Sequence, residues 1–499
     1  MSTTPAVNDT LIREVVEEVI GRLGQLGSNT TKPVEPAPIK AVVPTATRPA
    51  SRPSGQRYGI FQDAKEACEA GAVAFRQLQE KGVAGRSRVI EIVKTLAEAN
   101  SAEWGRIELE ETKIGRLDHK IEKLKIIKLV PGVEFLHPTG LSGDHGITLE
   151  EYTPFGVVGA VTPSTHSIPT ISGNVVNMVA AGNAVVFNPH PGACRCAAVA
   201  VRAFNEAIYR ALDIENLICL IEKPTIESFK AISASEHVGL LCVTGGPGVV
   251  KAAMQTGKRA ICAGPGNPPV LVDDTADLDR AARCCIQGAA YDNNLLCIGE
   301  KEVFALENIA DGFMSALERH GAFRLNPAQL ERLTKEAFTC KPGEGAGCGH
   351  ATLNKDLVGK DATYLARLAG ASAPAGTELL FAETDETHVF VQEEQMMPFL
   401  PVVRVKDVTQ GIVAAKKAEH NYRHTAIIHS HNVTHMTAMA RALETTLFVK
   451  NGASVAGLGL GGEGYLSYSI ATPTGEGITN PKTFTRVRRC VMVDNLRIY

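Results

Sequence analysis

A cysteine able to act as a nucleophile stands in the run Tyr291-Asp-Asn-Asn-Leu-Leu-Cys297-Ile-Gly-Glu-Lys301, between polar residues and a glycine. The strand-like Glu302-Val-Phe-Ala305 follows at once. Upstream, Val243-Thr-Gly-Gly-Pro-Gly-Val-Val250 leaves a predicted strand and opens a predicted helix. Glycines there let the backbone approach a pyrophosphate, and a helix N-terminus favours an anion. The spacing G-x-G-x-x-G is not met, so a plain glycine-rich turn is the alternative reading of this motif. Between the two runs lies Ala263-Gly-Pro-Gly-Asn-Pro-Pro269. A cysteine nucleophile beside a dinucleotide site suits an enzyme that oxidises an aldehyde through a thioester.

These groups need a scaffold, and the chain is long enough to build one. Its 499 residues predict two or three domains. With 44% hydrophobic and 21% charged residues, sizeable cores are expected and global disorder is not. A net charge of -3 gives no reason to expect nucleic acid or a strongly acidic partner. There is no apolar run of about 18 residues, so no membrane span is expected. The start lacks the pattern of a secretory signal. Twelve cysteines are scattered over the chain. Cys219, Cys242, Cys262 and the pair Cys284-Cys285 sit in apolar or helical settings and read as reduced, intracellular, structural cysteine.

Residues 8–23 predict an amphipathic helix. Leu11, Ile12, Val15, Val16, Val19, Ile20 and Leu23 form one stripe, and charged residues fill the other face. Residues 24–56 carry six prolines and a single acid, Glu35, which predicts a flexible, partly extended linker. A tethered apolar helix suits capture by a partner protein; docking on its own domain is the bland alternative.

The globular part is expected to start near Gln56. Helices are predicted over 61–81, 86–99, 102–114 and 118–129, and the charge-rich 103–128 stretch reads as a solvated face. Residues 131–151 read as irregular, and 154–163 as a buried strand ending in a turn. Strand and helix signals then alternate, with strands at 184–187, 217–221, 239–243 and 259–262. That rhythm predicts a parallel sheet covered on both faces. A second alternating block runs from 269 to about 448, with strands at 270–272, 302–306, 387–391, 401–405 and 425–429. Residues 483–493 alternate enough to form a last strand, one that could pair between subunits.

Taken together, Pro154-Phe-Gly-Val-Val-Gly, Val243-Thr-Gly-Gly, Ala263-Gly-Pro-Gly-Asn-Pro-Pro, Cys297-Ile-Gly-Glu-Lys and Gln392-Glu-Glu-Gln-Met-Met-Pro398 resemble the aldehyde dehydrogenase superfamily in order and spacing. The resemblance covers residues 57–499. More narrowly, Thr162-Pro-Ser-Thr, Asn188-Pro-His-Pro-Gly192 and Asn293-Asn-Leu-Leu-Cys297 resemble the CoA-acylating enzymes of bacterial microcompartments, of the propionaldehyde type.

The resemblance implies an α/β fold. A Rossmann-type cofactor domain would span 57–264, with an arm segment at about 134–155, and an α/β catalytic domain would span 265–450. Residues 451–499 would return to the cofactor domain and add a β strand to a small oligomerisation arm. The chain would act as a homodimer or homotetramer.

Carried over by position, the resemblance makes Cys297 the nucleophile. The oxyanion would be held by the Cys297 N–H and a side chain near Thr165-His166. Relatives carry Asn where this chain has His166; a neutral imidazole could donate instead, with a charge that depends on pH, and a spectator role is the alternative. Thr162, Pro163, Ser164, Asn188 and His190 fall in the cofactor site, Thr244, Gly245 and Gly246 face the pyrophosphate, and Glu394 holds the nicotinamide ribose. The Lys and Glu that read the adenosine ribose in the superfamily are here Asn188 and Pro191. NAD is the expected cofactor, and coenzyme A the acyl acceptor.

Hydrolytic relatives place a water-activating glutamate where this chain has Ala263, and a methyl group accepts no proton. The resemblance therefore implies oxidation of propionaldehyde, or acetaldehyde second, to the acyl-CoA by ping-pong kinetics. A hydrolytic enzyme and an inert scaffold are the rivals; Ala263 argues against the first, Cys297 and Glu394 against the second. Residues 8–23 resemble an encapsulation peptide that binds shell or cargo proteins. Localisation would then be cytoplasmic, inside a microcompartment, without nucleic acid or membrane. No metal is expected. Cys340, Cys348 and His350 fit no zinc spacing; His429, His431 and His435 look metal-like, but the first two, which would share one strand face, stand where the superfamily has ordinary strand residues. Glu300 reads as structural rather than as a base.

Overall fold

The short, uninterrupted apolar runs of the sequence become inner strands of two parallel sheets, as expected where both faces are covered. The structure, a computed structural model, describes residues 57–340 and 351–496, with only the backbone of Cys340. The expected helix 8–23, the linker 24–56 and the Cys348-Gly-His350 end of the loop considered for metal lie outside these residues.

The first sheet has six strands, in spatial order Ile60–Phe61, Ile218–Ile221, Ala184–Pro189, Val157–Thr162, Val238–Thr244 and Ala260–Ala263, all parallel. The chain runs outward from Val157–Thr162 on one side, then crosses back to build the other. The order therefore reverses between Val157–Thr162 and Val238–Thr244. The helix Ser167–Ala180 is buried along its whole length against this sheet's core. The long helix Ala64–Ala99 covers the same core and breaks at Gly82, whose φ of 63° is free of steric cost only for glycine.

The second sheet has seven parallel strands, ordered Phe323–Arg324, Leu380–Thr384, Phe399–Val405, Glu302–Leu306, Pro269–Val272, Thr425–His429 and Leu447–Lys450. The strand expected at 387–391 is not there. The strand is Leu380–Thr384, and Val389–Gln392 makes one helical turn capped by His388, whose Nδ1 accepts the Phe390 N–H at 3.2 Å.

Three further expectations are corrected. Residues 131–151 are not irregular: Thr139–Gly143 and Gly146–Pro154 form a hairpin, and Thr485–Val493 completes an antiparallel three-stranded arm. Pro154 ends an arm strand, and the buried strand starts only at Val157. The outer face of the last strand exposes Val487, Val491 and Val493. Asn183 fastens this arm to the first sheet. Its Oδ1 accepts the N–H groups of Phe155 and Gly156 at 2.7 and 3.1 Å, and its Nδ2 donates to Phe484 O at 2.9 Å. Nor is the 103–128 stretch only a solvated face, since Glu108, Lys120 and Lys123 are all buried.

Candidate active site

Where the order of the first sheet reverses, a cavity of about 790 Å³ opens at the C-terminal ends of its strands. Parallel sheets place ligand crevices at such a switch point. Thr162, Pro163 and Ser164 leave one strand into the cavity, and Thr244, Gly245 and Gly246 leave its neighbour. Asn188 and His190 come from the next strand outward, and Cys297 and Glu394 from the second sheet's side. The cavity thus brings together every residue carried over for the cofactor, together with Cys297, His166 and Ala263.

Several of these groups fit an anionic, hydroxyl-bearing ligand. Thr162 Oγ1 is buried without a partner. A Cβ added at Gly246 or Gly248 would meet nothing within 4 Å, so bare backbone faces open space just where the helix Pro247–Met254 begins. Asn188 is not free to read a ribose by both ends. Its Nδ2 donates to Thr225 O at 3.3 Å, and its Oδ1 accepts from Ser228 Oγ at 2.6 Å. His190 Nδ1 accepts the Gly192 N–H at 3.1 Å.

The nucleophile sits at the end of an unusual turn. Asp292, Asn293 and Asn294 have φ of 49°, 56° and 64°, three consecutive left-handed residues. Asp and Asn tolerate this region better than other side-chain-bearing residues, yet each such residue costs about 1 kcal/mol. Each side chain is anchored to a different element. Asp292 pairs with Lys123 and accepts the Arg116 N–H at 2.7 Å. Asn293 Nδ2 reaches Gly359 O and Asp361 Oδ1 at 2.9 and 2.8 Å. Asn294 Nδ2 donates to Ala289 O and Glu300 O, both at 2.9 Å.

Cys297 itself is partly exposed to the cavity. Burial pushes its thiol up to about 12, with Glu394 adding to the rise and Lys301 and Lys123 opposing it. The resting group is therefore the thiol. Burial likewise raises the Glu394 carboxyl, against the pull of Lys301. His166 is buried, with Nδ1 2.8 Å from Thr165 Oγ1 and its ring 5.6 Å from that of Tyr468. Burial, then Lys123 and Lys120, hold its pKa well below the usual histidine value, so the imidazole is neutral at physiological pH. A neutral ring remains a hydrogen-bond donor. Ala263 turns a buried methyl toward the cavity.

Glu300 is occupied elsewhere: its carboxylate accepts from Ser454 N and Oγ at 2.8 and 2.6 Å. The histidines considered for metal do not converge. His429 packs on Cys285 Sγ at 4.0 Å, and His435 Nδ1 bonds Asp273 at 2.7 Å.

Two groups near the nucleophile receive no role from the sequence alone. Lys301 is buried and donates to Asn294 O at 3.0 Å. His424 is buried, and its Nε2 has no partner. Its pKa falls to about 4, chiefly by burial. Gly266 separates it from Cys297: a Cβ there would lie 2.7 Å from Cys297 O and 2.9 Å from His424 Cγ. No local motif announces His424, because only the fold brings residues 266, 297 and 424 together.

Comparison with known proteins gives a consistent set of relatives. The profile of the aldehyde dehydrogenase family matches residues 55–326. An acetaldehyde dehydrogenase (acetylating), EutE, of Salmonella typhimurium is 42% identical over 92% of this chain and 98% of its own length. A propionaldehyde dehydrogenase of Rhodopseudomonas palustris, solved with bound CoA and an acylated cysteine, is 43% identical with a TM-score of 0.85, covering 89% of this chain and all of that one. A propionaldehyde dehydrogenase from the fucose utilisation bacterial microcompartment of Clostridium phytofermentans is 41% identical, also with a TM-score of 0.85, over 88% of this chain and all of that one.

Proposed function

This chain belongs to the aldehyde dehydrogenase family, and we propose that it oxidises a short-chain aldehyde, propionaldehyde or acetaldehyde, to the acyl-CoA with reduction of NAD. The observation that carries this reading is one cavity that pairs a partly exposed Cys297 with a methyl group at position 263. The acylated cysteine and bound CoA of the Rhodopseudomonas palustris enzyme support it.

In this mechanism Cys297 releases its thiol proton to solvent, and Sγ bonds the aldehyde carbonyl carbon. The carbonyl π pair moves onto oxygen. The resulting oxyanion would be held by the Cys297 N–H and the neutral imidazole of His166, the two donors assigned to it. When bound, NAD supplies the acceptor for the hydride that leaves the carbon. The oxyanion pair then reforms the C=O bond, leaving a thioester on Cys297. Ala263 offers no base to water. The thioester therefore waits for the thiolate of CoA, which displaces Cys297 as the leaving thiolate. Thr162, Pro163, Ser164, His190 and the backbone of Thr244–Gly246 would hold the cofactor, with Glu394 at the nicotinamide ribose. Asn188 would act there through Thr225 and Ser228.

The decisive assay is NADH formation from propionaldehyde and NAD, with and without CoA. With CoA, NADH and propionyl-CoA should accumulate together. Without it, NADH should stop at a single equivalent per active site. Continuous NADH formation without CoA would overturn the acylating reading.

We place the enzyme in a bacterial microcompartment, held by residues 8–23 to shell or cargo proteins, with subunits joined through the three-stranded arm. The origin of the Clostridium phytofermentans relative supports the compartment, and the exposed valines of Thr485–Val493 support the arm contact. Deleting residues 1–56 should leave CoA-dependent activity and subunit number unchanged while abolishing co-localisation with shell proteins. Loss of activity would sink the tether reading, and a monomer by light scattering would sink the arm contact.

A further inference from the structure

Four charges are buried together beside the catalytic cavity, on elements that contribute nothing to the cofactor site. Glu108 comes from the helix Ser101–Thr112, and Lys120 and Lys123 from the helix Leu117–Lys125. Asp292 comes from the left-handed turn before Cys297. None is more than 1% exposed. Removing four charges from water is costly, and such groups persist only where every partner is in place. Here the partners lead to two particular turns.

On one side, Lys123 pairs with Asp292, and Lys120 Nζ lies 4.0 Å from the same carboxylate. Asp292 is fixed further by the Arg116 N–H on Oδ1, and its own N–H donates to His119 Nδ1 at 2.8 Å. This is the first residue of the turn that delivers Cys297. On the other side, Lys120 Nζ donates to Glu108 Oε1 at 3.1 Å and to Thr165 O at 3.3 Å. Glu108 Oε2 accepts the Ile168 N–H at 3.0 Å. Thr165 and Ile168 flank His166 on both sides. Tyr468, whose ring lies beside His166, donates its hydroxyl to Lys123 O at 3.0 Å.

We propose that Glu108, Lys120, Lys123 and Asp292 form a positioning device that locks the nucleophile turn to the turn carrying His166. These residues touch no reacting atom. They act by fixing the distance and angle between the attacking sulfur and the donor for the oxyanion, the kind of alignment whose loss by about 1 Å costs on the order of 10²-fold in rate. The device also sets Lys123 and Lys120 near His166, where they add to the burial that keeps its imidazole neutral, and Lys123 favours the Cys297 thiolate. The role rests on the acylation reading, in which Cys297 and His166 act on one carbonyl.

The test uses the full chain with Lys123→Met and Asp292→Asn combined, which removes one charge of each sign. Glu108→Gln is the second variant. It keeps an acceptor for the Ile168 N–H but strips Lys120 of its charged partner. Folding is checked by circular dichroism. Two activities are read per folded molecule: CoA-dependent NADH formation, and the rate of Cys297 alkylation by iodoacetamide from pH 6 to 10. The other titratable groups near Cys297 are Glu394, Lys301, His166 and His424, all left intact.

The double variant should lose about 10²-fold in kcat, with the KM for NAD held within about twofold. Its alkylation profile should move to higher pH, slowing the reaction at pH 8 about tenfold. Glu108→Gln should lose about tenfold in kcat, again without a change in the KM for NAD. Folded variants with wild-type kcat and a wild-type alkylation profile would overturn the proposal. So would losses that merely track the folded fraction, or a failure of both variants to fold, since either would make the quartet a structural element only. If wild type itself lacks CoA-dependent NADH formation, the acylation reading fails, while the alkylation profile still reports whether the quartet tunes Cys297.

Discussion

Replacing Cys297 with alanine should lower turnover by about 10⁴-fold or more, because no other group can form the acyl intermediate. The side chain is small and only partly buried, so the fold should survive its loss. Three anchored residues hold the preceding turn by their own side chains, and none of them bonds the sulfur. Intact mass measurement separates the cause. Wild type given propionaldehyde and NAD without CoA should gain one propionyl group; Cys297→Ala should gain none. Acylation of the variant at another residue, with turnover retained, would remove Cys297 from the mechanism.

Ala263→Glu should work in the opposite direction and open a reaction the wild type lacks. The methyl of Ala263 lies in the wall of the cavity that also receives Cys297. A carboxylate there could take a proton from water, and a positioned general base contributes about 10²–10⁴-fold. CoA-independent NADH formation should rise at least about 10²-fold over wild type. The sign of the pH dependence follows from the neighbours. The new carboxyl would be buried near Glu394, whose own pKa burial already raises. Burial and a like charge both favour its protonated form. The base therefore becomes competent only as pH rises, and the new activity should increase from pH 6 to 9. A folded Ala263→Glu variant with no CoA-independent turnover at pH 9 would show that more than a missing base protects the thioester.

How much of this could be read from the sequence depended on how locally each feature was encoded. The inner strands could be read because burial on both faces leaves runs with no polar interruption, as over 184–187 and 240–243. The arm hairpin is implied by the resemblance but not by the residue pattern, because most of Thr139–Gly143 is exposed. A strand with neither face buried need not alternate, and glycines at 140 and 143 read as loop. The 387–391 segment misled for the opposite reason: Val389 and Val391 alternate like a strand but belong to a short turn that buries Phe390 and Val391.

The site was legible where backbone and motif coincide, as at Thr244-Gly-Gly or Cys297-Ile-Gly. Its support was not. Glu108, Lys120 and Lys123 look like surface charges on amphipathic helices, and their partners Thr165, Ile168 and Asp292 are far away in the chain. No pattern within a helix reports a pairing of that kind. His424 was hidden likewise, since only the folded chain sets it across Gly266 from Cys297.

The position of the first strand has a practical consequence for how such an enzyme can be attached to a support. Ile60–Phe61 runs parallel to Ile218–Ile221. The polypeptide therefore enters the sheet at the N-terminal rim of the strands, whereas the cavity mouth lies at their C-terminal rim. Arg57 itself, which is exposed, stands on the side of this sheet away from the mouth, so a group attached there leaves the mouth clear. A handle added after Thr485–Val493 would have no such freedom, because that strand is an integral part of the arm.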